Sequence, residues 1–341
     1  MTEQIIIEKI VVLGTGGTIA GMAASSSDHT GYTAAQIDVE VLLKSVAGLS
    51  EALQGRELIA EQVAQLDSKD MDFDVMLRIA QRCAHFLAQA DVKGIVITHG
   101  TDTLEETAYF LHCVIPLELQ SKPIVLTCAM RPATSSEADG PRNLRDAVRV
   151  ASDAQACGVL AVCAGDVHHA IAVQKVHSYA LNAFSSGDVA LGELGLVAQV
   201  VAEQVLWCSN SQEIFKQKGR IDGINTAQSA IDLIVSKSDA SASWPRVEIV
   251  FNHAHADGSS VRALLLASTP QNLLRGIVVA GTGNGTVGQS LQTALSVASS
   301  QGVQVIITSR CAWGGVRGSN VAVGTLSAVK ARIELVLSFK Q

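Results

Sequence analysis

The sequence predicts an α/β protein of two domains, a larger N-terminal one and a smaller C-terminal one, each a mostly parallel sheet covered by helices. Three observations lead there. Apolar runs of strand length alternate with segments of helical length and spacing, the pattern of parallel strands joined by right-handed crossovers. Hydrophobic residues make up 48% of the 341 and charged residues only 17%. Ala, Val, Ile and Leu supply most of the apolar share, as strands buried on both faces require. Finally, a polar and weakly periodic stretch at 212–243 ends at Trp244-Pro245, and a fresh β-α-β-α-β series begins at Val247.

Taken in order, the strand candidates are 10–13, 57–66, 94–98, 124–128, 159–163, 247–251, 276–280 and 303–308. The runs at 10–13 and 94–97 are unbroken apolar stretches that stop at small polar turns. Between the strands, 73–90, 104–114, 143–154, 260–267 and 287–299 are long enough for helices and carry apolar residues three and four apart. The boundaries follow: an N-terminal domain over 1–210, a linker over 211–244 and a C-terminal domain over 245–341. No internal repeat or low-complexity segment interrupts this plan.

A net charge of −7 and the lack of any Lys/Arg run argue against a nucleic-acid surface. No stretch approaches the ~20 apolar residues of a membrane span. Glu3, Glu8 and Lys9 break up the apolar start, so a signal peptide is not expected there. The seven cysteines are scattered and mostly lie in apolar contexts, which suits reduced core thiols and a cytoplasmic location. The low charge also suggests surface buried between subunits.

Two loops carry the chemistry. Gly14-Thr15-Gly16-Gly17-Thr18-Ile19-Ala20-Gly21 follows the first strand, and Thr98-His99-Gly100-Thr101-Asp102-Thr103-Leu104-Glu105-Glu106-Thr107 follows the third. Each is a strand, a small polar turn and a helix start, and such turns lie at the carboxyl edge where open α/β sheets bind ligands. Each places a hydroxyl beside exposed backbone N–H groups.

These two segments resemble the two signatures of the bacterial-type L-asparaginases. The resemblance extends to Tyr32, to Asp67-Ser68-Lys69-Asp70-Met71, to Ala129-Met130-Arg131-Pro132-Ala133-Thr134-Ser135, to Ala138-Asp139-Gly140-Pro141, to Lys175 and to Gly281-Thr282-Gly283-Asn284-Gly285-Thr286. It covers most of the chain and weakens over 209–244 and after Arg310. It implies hydrolysis of the side-chain amide of asparagine to aspartate and ammonia, with no cofactor and no metal, in a homo-oligomer (tetramer or dimer) whose sites lie at subunit contacts. Thr15 is then the expected nucleophile, on an exposed turn. Tyr32, on a lid-like loop, is its proton acceptor. Thr101, Asp102 and Lys175 act together as the second set, Lys175 taking a proton from Thr101 or water. Ser68 and the backbone of Gly100 and Thr101 receive the substrate's carboxylate, and Asp102 its ammonium. Asn284 and Thr286 match positions from which the family reaches a neighbouring site.

Each residue has a plainer reading. Thr15 suits a tight turn, Tyr32 a loop anchor and Lys175 a snorkelling surface position. Asp102-x-x-Glu105 and Thr103-x-x-Glu106 suit helix capping. Two departures from the family stand out. Lys69 occupies a position where an uncharged or acidic side chain usually helps to bind the ammonium. A cation there weakens binding unless it turns to Asp67 or Asp70. In addition, no Asp or Glu occurs between Asp257 and Glu334, so the acid that orients the family's Tyr from a neighbouring subunit has no counterpart. The first departure leaves a glutaminase-like amidohydrolase open. The second leaves open a binding protein of the same fold with impaired catalysis. Gly283-x-Gly285-x-x-Gly288 also matches a dinucleotide fingerprint, a weak signal in isolation. His253, His255 and Asp257, and the pair His168-His169, lack the firm spacing of a zinc site.

Overall fold

The computed structural model describes residues 7–209, 211–215, 243–317 and 326–339. The chain divides into two compact units, Met1–Gln217 and Lys218–Gln341. The strands of the first are β1 (Lys9–Gly16), β2 (Met22–Ala23), β3 (Tyr32–Thr33), β4 (Glu57–Leu66), β5 (Val92–Thr98), β6 (Ile124–Thr127), β7 (Val159–Cys163), β8 (Asp166–His169), β9 (Gln174–Lys175), β10 (Phe184–Ser185), β11 (Ala198–Val201) and β12 (Gln204–Trp207). Its helices are α1 (Val39–Lys44), α2 (Leu49–Leu53), α3 (Phe73–Leu87), α4 (Leu104–Val114), α5 (Gly140–Ser152) and α6 (Ser211–Phe215).

The main sheet has the order β12-β11-β8-β7-β6-β5-β1-β4. The five strands from β4 to β7 are parallel, as the apolar runs predict, and the edge from β8 to β12 is antiparallel. That edge differs from the sequence expectation. Its strands are four residues each, and β11 and β12 alternate more and less exposed positions, too short to stand out as apolar runs. The parallel part has its switch point between β1 and β5, because the chain goes from β1 outward to β4 and then back across to β5. The loops after the two central strands, β1 and β5, leave the sheet there at its carboxyl edge, where open α/β sheets bind ligands.

The helices follow from their sequences. Asp72 caps α3 by accepting from Val75 N at 2.8 Å, and the helix buries Val75, Met76, Ile79, Ala80, Cys83, Phe86 and Leu87, one continuous stripe. Helix α5 starts at Gly140-Pro141 and packs Leu144, Ala147, Val148 and Ala151 into the core that also holds Ile10, Val12, Val96 and Val125. The expected starts at 143 and ends at 154 and 90 shift by two or three residues, as frayed helix ends do.

The second unit contains the parallel sheet β13 (Arg246–Phe251), β14 (Leu274–Gly281) and β15 (Gln304–Ser309), in that order. Its helices are α7 (Ser259–Leu266), α8 (Gln289–Ser300) and α9 (Ala328–Ser338). The sequence reading lacks α9, although its Lys330 and Glu334 are fully buried at helical i,i+4 spacing. Of the expected linker, 211–215 is helical, and 216–242 lies outside the described residues.

Candidate active site

The carboxyl ends of β1 and β5 meet as the switch point requires. Gly14 pairs with Thr98, so the two following loops leave the sheet at one level. They are in direct contact. A Cβ on Gly17 would lie 2.4 Å from Gly100 N, and one on Gly100 would run into Ser68 Oγ. Only glycine backbones fit this approach, and it puts Thr18 and Thr101, the residues that follow, on adjoining turns.

Thr15 departs from the expectation of an exposed turn. Strand β1 runs on to Gly16 between β4 and β5, which leaves Thr15 only 1% exposed. Its hydroxyl donates to Thr98 O at 2.8 Å. The chain leaves the sheet at Gly16 and Gly17, both with positive φ, and the next residue, Thr18, opens a short 3₁₀ turn. The Tyr32 hydroxyl lies 2.7 Å from Thr18 Oγ1. The expected pairing of Tyr32 with Thr15 is therefore replaced by one with Thr18. The sequence reading missed Thr18. The signal was the Gly16-Gly17 pair, since a strand sandwiched on both sides keeps its side chains occupied until the backbone turns out of the sheet.

On the second loop, Lys175 Nζ donates to Thr101 Oγ1 and pairs with Asp102 Oδ1, both at 2.7 Å. Strand β9 holds Lys175 opposite Phe184 of β10, with its side chain 17% exposed, so it reaches inward rather than snorkelling. Asp102 is half-exposed and open to a ligand. The capping reading of this loop is corrected: Thr103 is the N-cap of α4 but its side chain makes no cap bond, its hydroxyl donating instead to Ser68 O at 2.7 Å. Ser68, 2% exposed, accepts from Asp102 N at 3.2 Å. The turn at Asp67 is thus stitched to the turn at Asp102.

Behind them lies His99, fully buried. Its Nδ1 bonds to Gly100 O at 2.7 Å and its Nε2 to Thr107 Oγ1 at 2.9 Å. A carbonyl only accepts, so Nδ1 carries the proton and Nε2 accepts from Thr107. Burial pushes the imidazole down to about 4. It stays neutral and fixes the Gly100 carbonyl.

Lys69 does not contact Asp102. Its Nζ lies 2.5 Å from Asp67 Oδ2 and 3.7 Å from Asp70 Oδ2, and the Asp67 hydrogen bond raises its pKa. The expected clash with a substrate ammonium has no geometric basis here.

In the second unit, Asn284 and Thr286 are engaged within their own neighbourhood. Asn284 exchanges two hydrogen bonds with the Arg317 backbone, at 2.8 and 2.7 Å. Thr286 Oγ1 lies 2.8 Å from Thr282 Oγ1 and donates to Thr282 O at 2.9 Å. Gly288 N, at the start of α8, donates to Asn252 Oδ1 at 3.0 Å, so the glycine-rich turn does not present that N–H freely, as phosphate binding would need. Among the described residues no group of three or more His, Cys, Asp or Glu side chains is arranged to hold a metal ion. None of the described helices is long and apolar enough to cross a membrane.

Comparison with known proteins gives the family of both units. The family model "Asparaginase, N-terminal" matches residues 9–208, and "Glutaminase/Asparaginase C-terminal domain" matches 246–341. A glutaminase-asparaginase of Pseudomonas fluorescens biotype A is 37% identical over 311 residues, 91% of this chain and 77% of that protein. L-asparaginase 2 of Escherichia coli (strain K12) is 34% identical over 350 residues, 98% of this chain and 90% of its own. The crystal structure of a probable cytoplasmic L-asparaginase from Campylobacter jejuni superposes with a TM-score of 0.82 at 33% identity, covering 98% of this chain and 95% of that one.

Proposed function

The chain belongs to the asparaginase/glutaminase family of amidohydrolases, and from that premise we propose that it hydrolyses L-asparagine to L-aspartate and ammonia with Thr18 as nucleophile. One juxtaposition carries this reading. Two hydroxyls follow glycines whose backbones touch, and each is hydrogen-bonded to a titratable side chain: Thr18 with Tyr32, and Thr101 with Lys175. Thr15 fits the role poorly, because its proton already points at a backbone carbonyl inside the sheet.

In this mechanism Thr18 Oγ1 attacks the amide carbon as its proton passes to the Tyr32 oxygen, and Tyr32 gives its own hydroxyl proton to the departing nitrogen. Backbone N–H groups of the two loops stabilise the oxyanion. Ammonia leaves with a proton, and an aspartyl ester remains on Thr18. Thr101, accepting from the Lys175 ammonium that Asp102 holds, positions the water that cleaves the ester, and the proton of that water returns through Tyr32 to Thr18 Oγ1. Ser68 and the Gly100–Thr101 backbone receive the substrate's carboxylate, and Asp102 its ammonium. With Lys69 drawn to Asp67, ordinary affinity is expected.

A second reading, equal use of glutamine, is favoured by the relatives named glutaminase-asparaginase. A homo-oligomer belongs to the proposal too. Val176, Tyr179, Leu181, Val189 and Leu191 are 42–72% exposed within one short stretch beyond Lys175, apolar side chains that a subunit contact would cover. The cytoplasmic assignment is supported by cysteines that are all free thiols among the described residues.

Ammonia release from asparagine and glutamine, measured side by side on wild type and Thr18→Ala, tests the reading. Turnover of asparagine that vanishes in Thr18→Ala supports it. Binding of asparagine without ammonia from the wild type would leave a binding protein, and faster release from glutamine would make it a glutaminase.

A further inference from the structure

We propose that Thr134 is a positioning residue for this hydrolysis: its hydroxyl fastens the hairpin that carries Tyr32 and so keeps the phenol on Thr18. This role rests on the assignment of Thr18 and Tyr32 given above.

The hairpin is slight. Strands β2 and β3 have two residues each, paired Met22 with Thr33 and Ala23 with Tyr32, around a loop at 24–31. That loop is held mainly by its own short-range bonds, such as Asp28 accepting from Gly31 N at 2.7 Å and from Thr30 N at 3.0 Å. Two short strands do not hold a fixed position unaided. What they rest on is the segment after β6. Ala133 N donates to Gly21 O at 2.9 Å, Thr134 Oγ1 accepts from Ala23 N at 2.8 Å, and Ser136 N donates to Ser26 O at 3.1 Å.

The Thr134 bond is the one that bears on Tyr32. Ala23 lies directly across the hairpin from Tyr32, so a bond at Ala23 sets the height of the phenol. The Tyr32 ring lies against Gly21, where an added Cβ would come within 3.0 Å of Tyr32 Cδ2. Ala133 and Thr134 thus brace the backbone both under the ring and across from it. Their own base is firm: Asp139 accepts from Met130 N at 3.0 Å and Arg131 N at 2.9 Å, and Asn143 ties Asp139 to Cys128 O. A catalytic group on so short a hairpin needs such support to stay on target. Because this tie is made by a side chain, it can be removed without altering the backbone ladder.

The test is steady-state kinetics with asparagine for Thr134→Val, Thr134→Ser, Tyr32→Phe and the double variant, together with limited proteolysis at 24–31 and the melting temperature of each. Thr134→Val is expected to lower kcat by on the order of tenfold, the factor one lost hydrogen bond allows, with faster cleavage of the hairpin. Thr134→Ser keeps the acceptor oxygen and is expected within about twofold of wild type. In the Tyr32→Phe background, Thr134→Val is expected to change kcat no further, because its effect passes through the phenol. Wild-type kcat in Thr134→Val, or the same loss with and without the Tyr32 hydroxyl, would overturn the role, and Thr134→Ala repeats the comparison if the valine variant misfolds. Undiminished turnover in Thr18→Ala or Tyr32→Phe would instead overturn the catalytic assignment itself.

Discussion

His99 makes acid a selective perturbation of the first unit. The imidazole is fully buried between Gly100 O and Thr107 Oγ1, and burial holds it down at about 4 against 6.5 when unfolded. A group with a lowered folded pKa takes up its proton first in the unfolded chain. Its stabilising contribution is complete above pH 6.5 and is lost as the pH falls from there toward 4. Two and a half units correspond to about 3 kcal/mol over the whole window, most of it gone by roughly pH 4.5. For a unit of this size that is a fall of about 5–10 °C in melting temperature, beyond what carboxylates contribute. The assay compares melting at neutral pH and near pH 4.5 for wild type and His99→Gln. The glutamine stays neutral, so its variant should lose less on acidification than wild type by that margin, even if it is less stable at neutral pH. Equal acid shifts in the two proteins would refute the argument and imply that His99 protonates freely in the native state.

Three further outcomes follow from the site geometry. Lys69→Gln should leave KM for asparagine within about twofold of wild type, because an exposed pair with Asp67 is worth little and lies away from Asp102; a several-fold fall in KM would mean that Lys69 meets the ligand. Thr15→Val should cost about 1 kcal/mol of stability for its lost bond to Thr98 O while keeping turnover within about tenfold; abolished turnover in a folded variant would return Thr15 to the chemistry. Lys175→Met should lower kcat by about 100-fold or more, because Thr101 and Asp102 lose the cation that holds them in place, and near-normal kcat would make Lys175 a structural cation.

The parallel half of the first sheet was legible because its inner strands are buried on both faces and read as unbroken apolar runs, as at 10–13 and 94–97. The antiparallel edge was not, since strands such as Ala198–Val201 alternate buried and exposed residues over too few positions. The hairpin at Met22–Thr33 has almost no local signature, and its place depends on distant residues such as Thr134. Of the proposed site, the two turns and the residues Tyr32, Ser68, Asp102 and Lys175 were read from loop position and family resemblance. Which Thr of the first turn faces Tyr32 was not, because that depends on where β1 stops. The strand outlasts its apolar run by three residues and draws Thr15 into the sheet. The direction of Lys69 was likewise undecidable from sequence, with Asp67, Asp70 and Asp102 all eligible partners, and Asp67 within the same turn took it.

The claim that Thr18 forms the acyl intermediate is open to one direct measurement. Enzyme turning over asparagine is quenched in acid, digested and mapped by mass spectrometry for an aspartyl ester on the peptide that contains Thr15 and Thr18. The account predicts the ester on Thr18, present in Thr15→Val and absent, together with ammonia release, in Thr18→Ala. An ester on Thr15, or full ammonia release by Thr18→Ala, would contradict it.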